Sequence, residues 1–239
     1  MNDVLLFTTI SCMGMFIQSF AGFAGSLFAI PLFSLFLSPK EAVPIYNLVM
    51  LFVNVFLLYE ARRHIDWKRA GRLLLGGVPG VPIGVYLLAS LPAHRIRISI
   101  SVVTLVFALL FLFRVRVRLK EDAATSAGVG FLSGILGGSI SESGPPVVIF
   151  GLANGWGKDV FRASLLSYFF FLSLTANIFF LSFCLFSPRT MTIFVSAAVP
   201  TLLCAGLGIL LKNKTGEARF RYAILAVIIL VSMLGFLPH

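Results

Sequence analysis

Glu142 is the one acidic side chain, out of nine, that falls deep inside an apolar stretch; the other eight lie at the chain start or near the ends of expected loops. An ionisable group at such depth is a functional candidate by default. Removal from water disfavours a bare carboxylate, which makes Glu142 a proton-coupling candidate. The competing reading is that it caps a restarting helix through the helix's free N–H groups. Around it the run GILGGSISESG (134–144) places Gly137, Gly138, Ser139, Ser141 and Ser143. A second small-residue run, QSFAGFAGS (18–26), holds Gln18, Gly22, Gly25 and Ser26. Where a helix restarts after such a run, its first N–H groups are unpaired and the dipole adds partial positive charge, which suits an anion. Glycines let backbone approach the ligand, and serine hydroxyls add donors. Close helix packing through small residues is the alternative for both runs.

Three asparagines, Asn47, Asn54 and Asn177, fall inside apolar spans. Asn47 and Asn54 are seven apart and share a helix face; they line a cavity or bond neighbouring helices. Arg162, at the end of a span, reads as a topological anchor, with a cytoplasmic anion gate as the alternative. The scattered His64, His94 and His239 give no metal site, and Cys12, Cys184 and Cys204 show neither ligand spacing nor a disulfide framework. No catalytic residue, no metal and no cofactor is expected.

The elements that must position these residues are membrane-spanning helices. Of 239 residues 59% are apolar and only 12% charged, against roughly 25% charged in soluble domains. Apolar runs of about 17 or more residues recur, the signature of spanning helices. Expected spans are about 4–37, 43–60, 70–90 and 98–113, then 123–154, 160–186, 190–211 and 220–237. The stretches 4–37 and 123–154 are too long for one straight crossing of about 20 residues. Both contain Gly/Ser runs followed by Pro31 or Pro145-Pro146, so each should be two helical pieces. Without a basic start or a small-residue cleavage site, the first run is not expected to be a cleaved signal.

The order of features repeats. Residues 16–32 lay over 131–147 without a gap, matching Phe16 with Phe131, Gly22 with Gly137, Ser26 with Ser141 and Pro31 with Pro146. Lys40-Glu41 corresponds to Lys158-Asp159, and Arg97 to Arg221. The expected fold is an all-α membrane protein of two inverted repeats, each an interrupted hairpin followed by three transmembrane helices. Its parts are 1–115, a basic cytoplasmic linker at 116–122, and 123–239.

Charge selects the threading. If 123–154 is a hairpin, one side collects Arg62, Arg63, Lys68, Arg69, Arg72, Arg114, Arg116, Arg118, Lys120, Lys158, Arg162, Lys212, Lys214, Arg219 and Arg221. The other keeps only Lys40, Arg95, Arg97 and Arg189 of the 19 basic residues. That asymmetry obeys the positive-inside rule, whereas single crossings leave no bias. For 4–37 only symmetry argues for a hairpin. With both hairpins each half crosses three times, the second half is inverted, and both termini lie outside. The same placement accounts for the net charge of +10 without nucleic acid.

The openings FAGFAGSLFAIPLF and GFLSGILGGSISESGPPVVIF, the loop HIDWKRA (64–70) and the two-fold repetition resemble the sulfite exporter TauE/SafE family. The resemblance covers nearly the whole chain. It implies transport of small anions such as sulfite or organosulfonates, and a place in the bacterial inner membrane. Here Ser-Ile-Ser-Glu-Ser interrupts the family's glycine run and brings a carboxyl group to the second tip. The expected function is a secondary transporter, an exporter by the resemblance, with the anion between the hairpin tips near the midplane and alternating access of the two halves. Proton coupling through Glu142 is an option. The alternative is an anion channel with the tips as a fixed constriction. Expected partners are the small anion and the lipid bilayer, with a homodimer as a further option.

Overall fold

The computed structural model describes residues 2–113, 118–211, 228–230 and 232–233. The expected last span, 220–237, lies mostly outside these residues, as do Arg114, Arg116, Lys212, Lys214, Arg219 and Arg221. Helices α1 (Asn2–Ala21), α2 (Gly25–Phe36), α3 (Pro39–Ala61), α4 (Trp67–Ser90) and α5 (Ala93–Leu112) come first. Then follow α6 (Ala123–Ile140), α7 (Gly144–Ala153), α8 (Lys158–Ser182) and α9 (Pro188–Leu211). Among the described residues there is no strand, and seven helices are long and apolar enough to cross a membrane.

α4 begins earlier than its expected span because Asp66 caps it, while Asp122 caps α6 at its expected start. Asp66 accepts from the N–H groups of Lys68 and Arg69, and Asp122 from that of Thr125 at 2.7 Å. This last contact holds the Asp122 carboxyl below its ordinary pKa. Pro39 stands in the first turn of α3, where its missing N–H removes nothing from the helix.

Both long opening stretches break where the small residues cluster, at 22–24 and at 141–143. Both also double back. Phe7, early in α1, stacks on Phe33, late in α2, with ring centroids 4.4 Å apart. Trp156, just beyond α7, donates its indole N–H to Glu121, just before α6, at 3.0 Å. In each stretch the piece after the break therefore runs back alongside the piece before it.

Contacts at the helix ends sort the chain into two poles. At one, Arg69 meets Glu121 and Arg162 meets Glu60, each at 2.6 Å. At the other, Arg189 meets Asp3 at 2.5 Å and Lys40 reaches the carbonyl of Ala89 at 2.7 Å.

The most extensive packing joins α4 to α6. It is a reciprocal glycine contact. A Cβ on Gly76, Gly80 or Gly84 would strike the carbonyls of Ala127, Phe131 and Ile135. One on Gly130, Gly134 or Gly138 would strike those of Leu73, Gly77 and Val81. Glycines every fourth residue on both helices let two backbones touch, the usual way spans associate in lipid. The pair α1 and α9 packs next most closely, with Gly208 against the carbonyl of Phe16. Exchanging α1 with α6, α2 with α7, α3 with α8 and α4 with α9 carries each major helix contact onto another: α4–α6 onto α9–α1, α4–α8 onto α9–α3, and α3–α8 onto itself. Outward faces stay apolar, as with Leu75 and Ile83 of α4 and Val195, Leu203 and Leu210 of α9.

Candidate functional site

At the second tip, α6 ends in a left-handed cap: the Ser141 N–H bonds the carbonyl of Gly137 at 3.1 Å, the bond of an αL motif, and the Glu142 N–H bonds that of Leu136 at 3.3 Å. The residue in the left-handed conformation there is Ser141 (φ 54°), although glycine would be the unstrained choice. Its hydroxyl supplies what glycine lacks. Asn47 of α3 donates to Ser141 Oγ at 2.9 Å, and that hydroxyl donates to the carbonyl of Val43 at 3.3 Å. Asn177 of α8 donates to Asn47 Oδ1 at 3.0 Å. The turn is closed by Ser133, whose hydroxyl bonds the Ser143 carbonyl at 2.5 Å. Ser133 and Ser143 would be far apart in a continuous rod, so this bond fixes the reversal.

Glu142 is fully buried in this tip. Thr104 of α5 donates to its Oε1 at 2.5 Å, whereas Oε2 has no partner. Asn47, Asn177, Ser141, Ser143 and Thr104 are all buried as well. Chain segments from α3, α5, α6 and α8 thus converge on a stretch of non-helical backbone sealed from solvent. Such backbone survives at membrane depth only inside protein or beside a cavity.

The remaining second-tip residues have packing contacts. Gly138 faces the α4 backbone, and Ser139 returns its hydroxyl to Ile135 of its own helix at 2.7 Å. A Cβ on Gly137 would lie 3.1 Å from that of Ser143, so Gly137 makes room for the returning chain. α7 opens with Gly144-Pro145-Pro146. The two prolines have no N–H, which leaves the second tip few backbone donors and many side-chain ones.

The first tip is built differently. Gly22 (φ 83°) and Ala24 (φ 75°) make the turn, and Ala24 caps α2 without any side-chain bond. The first turn of α2, Gly25-Ser26-Leu27, keeps all its N–H groups. Gly25 abuts Gly14 and Gln18 of α1, and Ser26 is buried. Gln18 donates to Asn54 Oδ1 of α3 at 3.1 Å, while Asn54 Nδ2 is buried without a partner. The stem of Arg162, on α8, lies across Gly22: an added Cβ would be 3.5 Å from Arg162 Cγ.

The two tips therefore meet α3 on one face, at Asn47 and at Asn54, about 10.5 Å apart at 1.5 Å per residue. Sequence reasoning had singled out the asparagines but not Thr104, Ser133 or Glu60. A threonine amid Val102, Val103, Leu105 and Val106 was the available signal for Thr104.

Long apolar helices, two of the long apolar stretches broken in their middle, and a buried polar cluster around one of the breaks fit a multi-pass membrane protein. The chain belongs to the sulfite exporter TauE/SafE family, whose model matches residues 6–234. No curated protein and no solved structure matches the chain.

Proposed function

We propose that this protein is a secondary transporter that exports a small anion, sulfite or an organosulfonate, across the bacterial inner membrane. The observation that carries the reading is the buried break at 141–143, which contains Glu142 and is ringed by Asn47, Thr104 and Asn177 from three different helices. The anion is held between this tip and the first, against the Asn47–Asn54 face of α3, and the sealed cluster corresponds to an occluded state. Glu142 exchanges a proton during the cycle.

The two halves, 1–115 and 123–239, act as inverted repeats joined by the linker 116–122. The helix contacts that interchange on swapping α1 with α6 and α4 with α9 support this reading. In the positive-inside orientation the pole of Arg69 and Arg162 faces the cytoplasm, and both termini face the periplasm. Alternating access then amounts to rocking one repeat against the other.

Counterflow in proteoliposomes tests the mechanism. Labelled sulfite should accumulate transiently against an excess of unlabelled sulfite inside. Large ohmic currents without counterflow would instead make the protein a channel. In intact cells, a membrane-impermeant thiol reagent should miss a cysteine at position 120 and label one at 189; the opposite pattern would reverse the orientation.

A further inference from the structure

Two arginines at the basic pole meet carboxylates in different ways. Arg69 offers Glu121 the edge formed by Nε and Nη2, donating to Oε1 at 2.6 Å and to Oε2 at 3.4 Å. Arg162 meets Glu60 through Nη1 alone, at 2.6 Å. Its Nε and Nη2, the same edge, are buried and have no hydrogen-bond partner. The side chain is only 14% exposed. Leaving two charged N–H groups desolvated and unbonded is costly, and buried polar atoms without partners are rare enough that each needs a reason. Arg69 shows what this edge takes in the same protein: two oxygens of one anion, a match that follows from the planar fork of the guanidinium.

The position supplies a second reason. The Arg162 stem rests on Gly22, in the turn that leads into the uncapped start of α2. The Arg162 stem thus sits on the same turn from which α2 starts, three residues further on. Glu60 already balances one positive charge, so an arriving monoanion meets a smaller electrostatic penalty than a dianion would.

We propose that the Nε–Nη2 edge of Arg162 is an oxyanion subsite at the first hairpin tip, taking two oxygens of a monoanionic sulfonate, bisulfite or carboxylate. It deepens the anion-transport reading and rests on it. Glu60 and the anion then share one guanidinium, and the subsite stands at the cytoplasmic approach to the buried cluster.

The test is sulfite binding by the full-length purified protein in phosphatidylcholine nanodiscs at a pH where bisulfite is present, with chloride as the competing halide. Wild type should prefer sulfite to chloride. Arg162→Lys keeps the charge but loses the two-point edge, and should weaken sulfite about tenfold or more, as expected for lost charge-assisted bonds, with little change for chloride. Glu60→Gln leaves the edge intact and should bind at least as tightly as wild type. Equal sulfite affinity in wild type and Arg162→Lys overturns the subsite, as does equal wild-type affinity for sulfite and chloride, a result independent of how any variant folds. If adding phosphatidylglycerol abolishes the wild-type preference for sulfite over chloride, the edge belongs to a lipid headgroup and the substrate assignment falls. Counterflow keeps the two readings apart: wild-type exchange with unchanged Arg162→Lys binding sinks only the subsite, whereas no exchange or binding of any anion sinks the transporter reading as well.

Discussion

At the first tip the chain turns through Gly22 and Ala24 beneath Arg162, and the helix that restarts there keeps its N–H groups. At the second it turns through Ser141 beneath Asn47, with Glu142 bonded to Thr104, and the restarting helix has two prolines where donors would be. In the ungapped overlay the first turn falls on 137–139, so the second, at 141–143, comes about one helical turn later; both do the same mechanical work, ending a helix inside the bundle. Their chemistry has diverged. One offers a cation and backbone donors; the other offers amides, hydroxyls and a carboxyl group. A transporter that couples an anion to a proton needs both kinds of site, and placing them on different hairpins keeps the carboxylate from repelling the anion at close range.

The largest expected effect separates packing from function within the second tip. Gly138→Val would drive a side chain into the α4 backbone at Val81, and α4 cannot withdraw without losing its glycine contacts. The cost should reach or exceed the about 3 kcal/mol typical of severe overpacking, read as loss of a monodisperse, folded species. Gly137→Val meets side chains instead, Ser143 at 3.1 Å and Leu172 at 3.2 Å. It should leave folded protein with counterflow abolished. If both variants fold and transport normally, the tightness ascribed to this tip is wrong.

A middle-sized effect sets the tips against each other directly. Glu142→Gln keeps the shape and the bond from Thr104 but fixes the group as neutral. Flux should lose its dependence on pH, while the preference for oxyanion over halide survives. Arg162→Lys should do the reverse. Should the Glu142→Gln profile track wild type across pH 5 to 9, an ordinary range for such assays, proton coupling belongs elsewhere.

How much of this was legible beforehand follows from what kind of signal each feature leaves. The breaks were readable because Gly and Ser clusters inside long apolar stretches have few other uses, and they fall at 22–24 and 141–143, inside the runs picked out. The division of labour between Gly137 and Gly138 was not, since a glycine clearing a turn and one admitting a neighbouring backbone look identical in a string; only the helix rotation of about 100° per residue separates them. The partners across the bundle were equally hidden. Gly76, Gly80 and Gly84 announce a close contact, but nothing in their spacing names α6. The Arg162–Gly22 contact joins residues with no local relation at all.

The smallest effect is the sharpest probe of the contrast, because both tips carry a non-glycine residue in the left-handed region, Ala24 and Ser141. That conformation costs an L-residue roughly 1–2 kcal/mol. Ala24 makes no side-chain cap bond, so Ala24→Gly removes strain and gives up little beyond the added freedom of the unfolded chain. It should stabilise the protein by up to about 1 kcal/mol. Ser141→Gly relieves the same strain but strips Asn47 of its acceptor and Val43 of its donor inside the core. An unsatisfied buried group costs about 1–3 kcal/mol, so the two contributions should cancel or leave the variant less stable. Thermal unfolding in one detergent reads both, and the predicted signature is the difference in sign. Equal stabilisation by the two glycines would mean that the Asn47–Ser141 bond contributes nothing, and that the second tip is a strained turn rather than a site organised by its side chains.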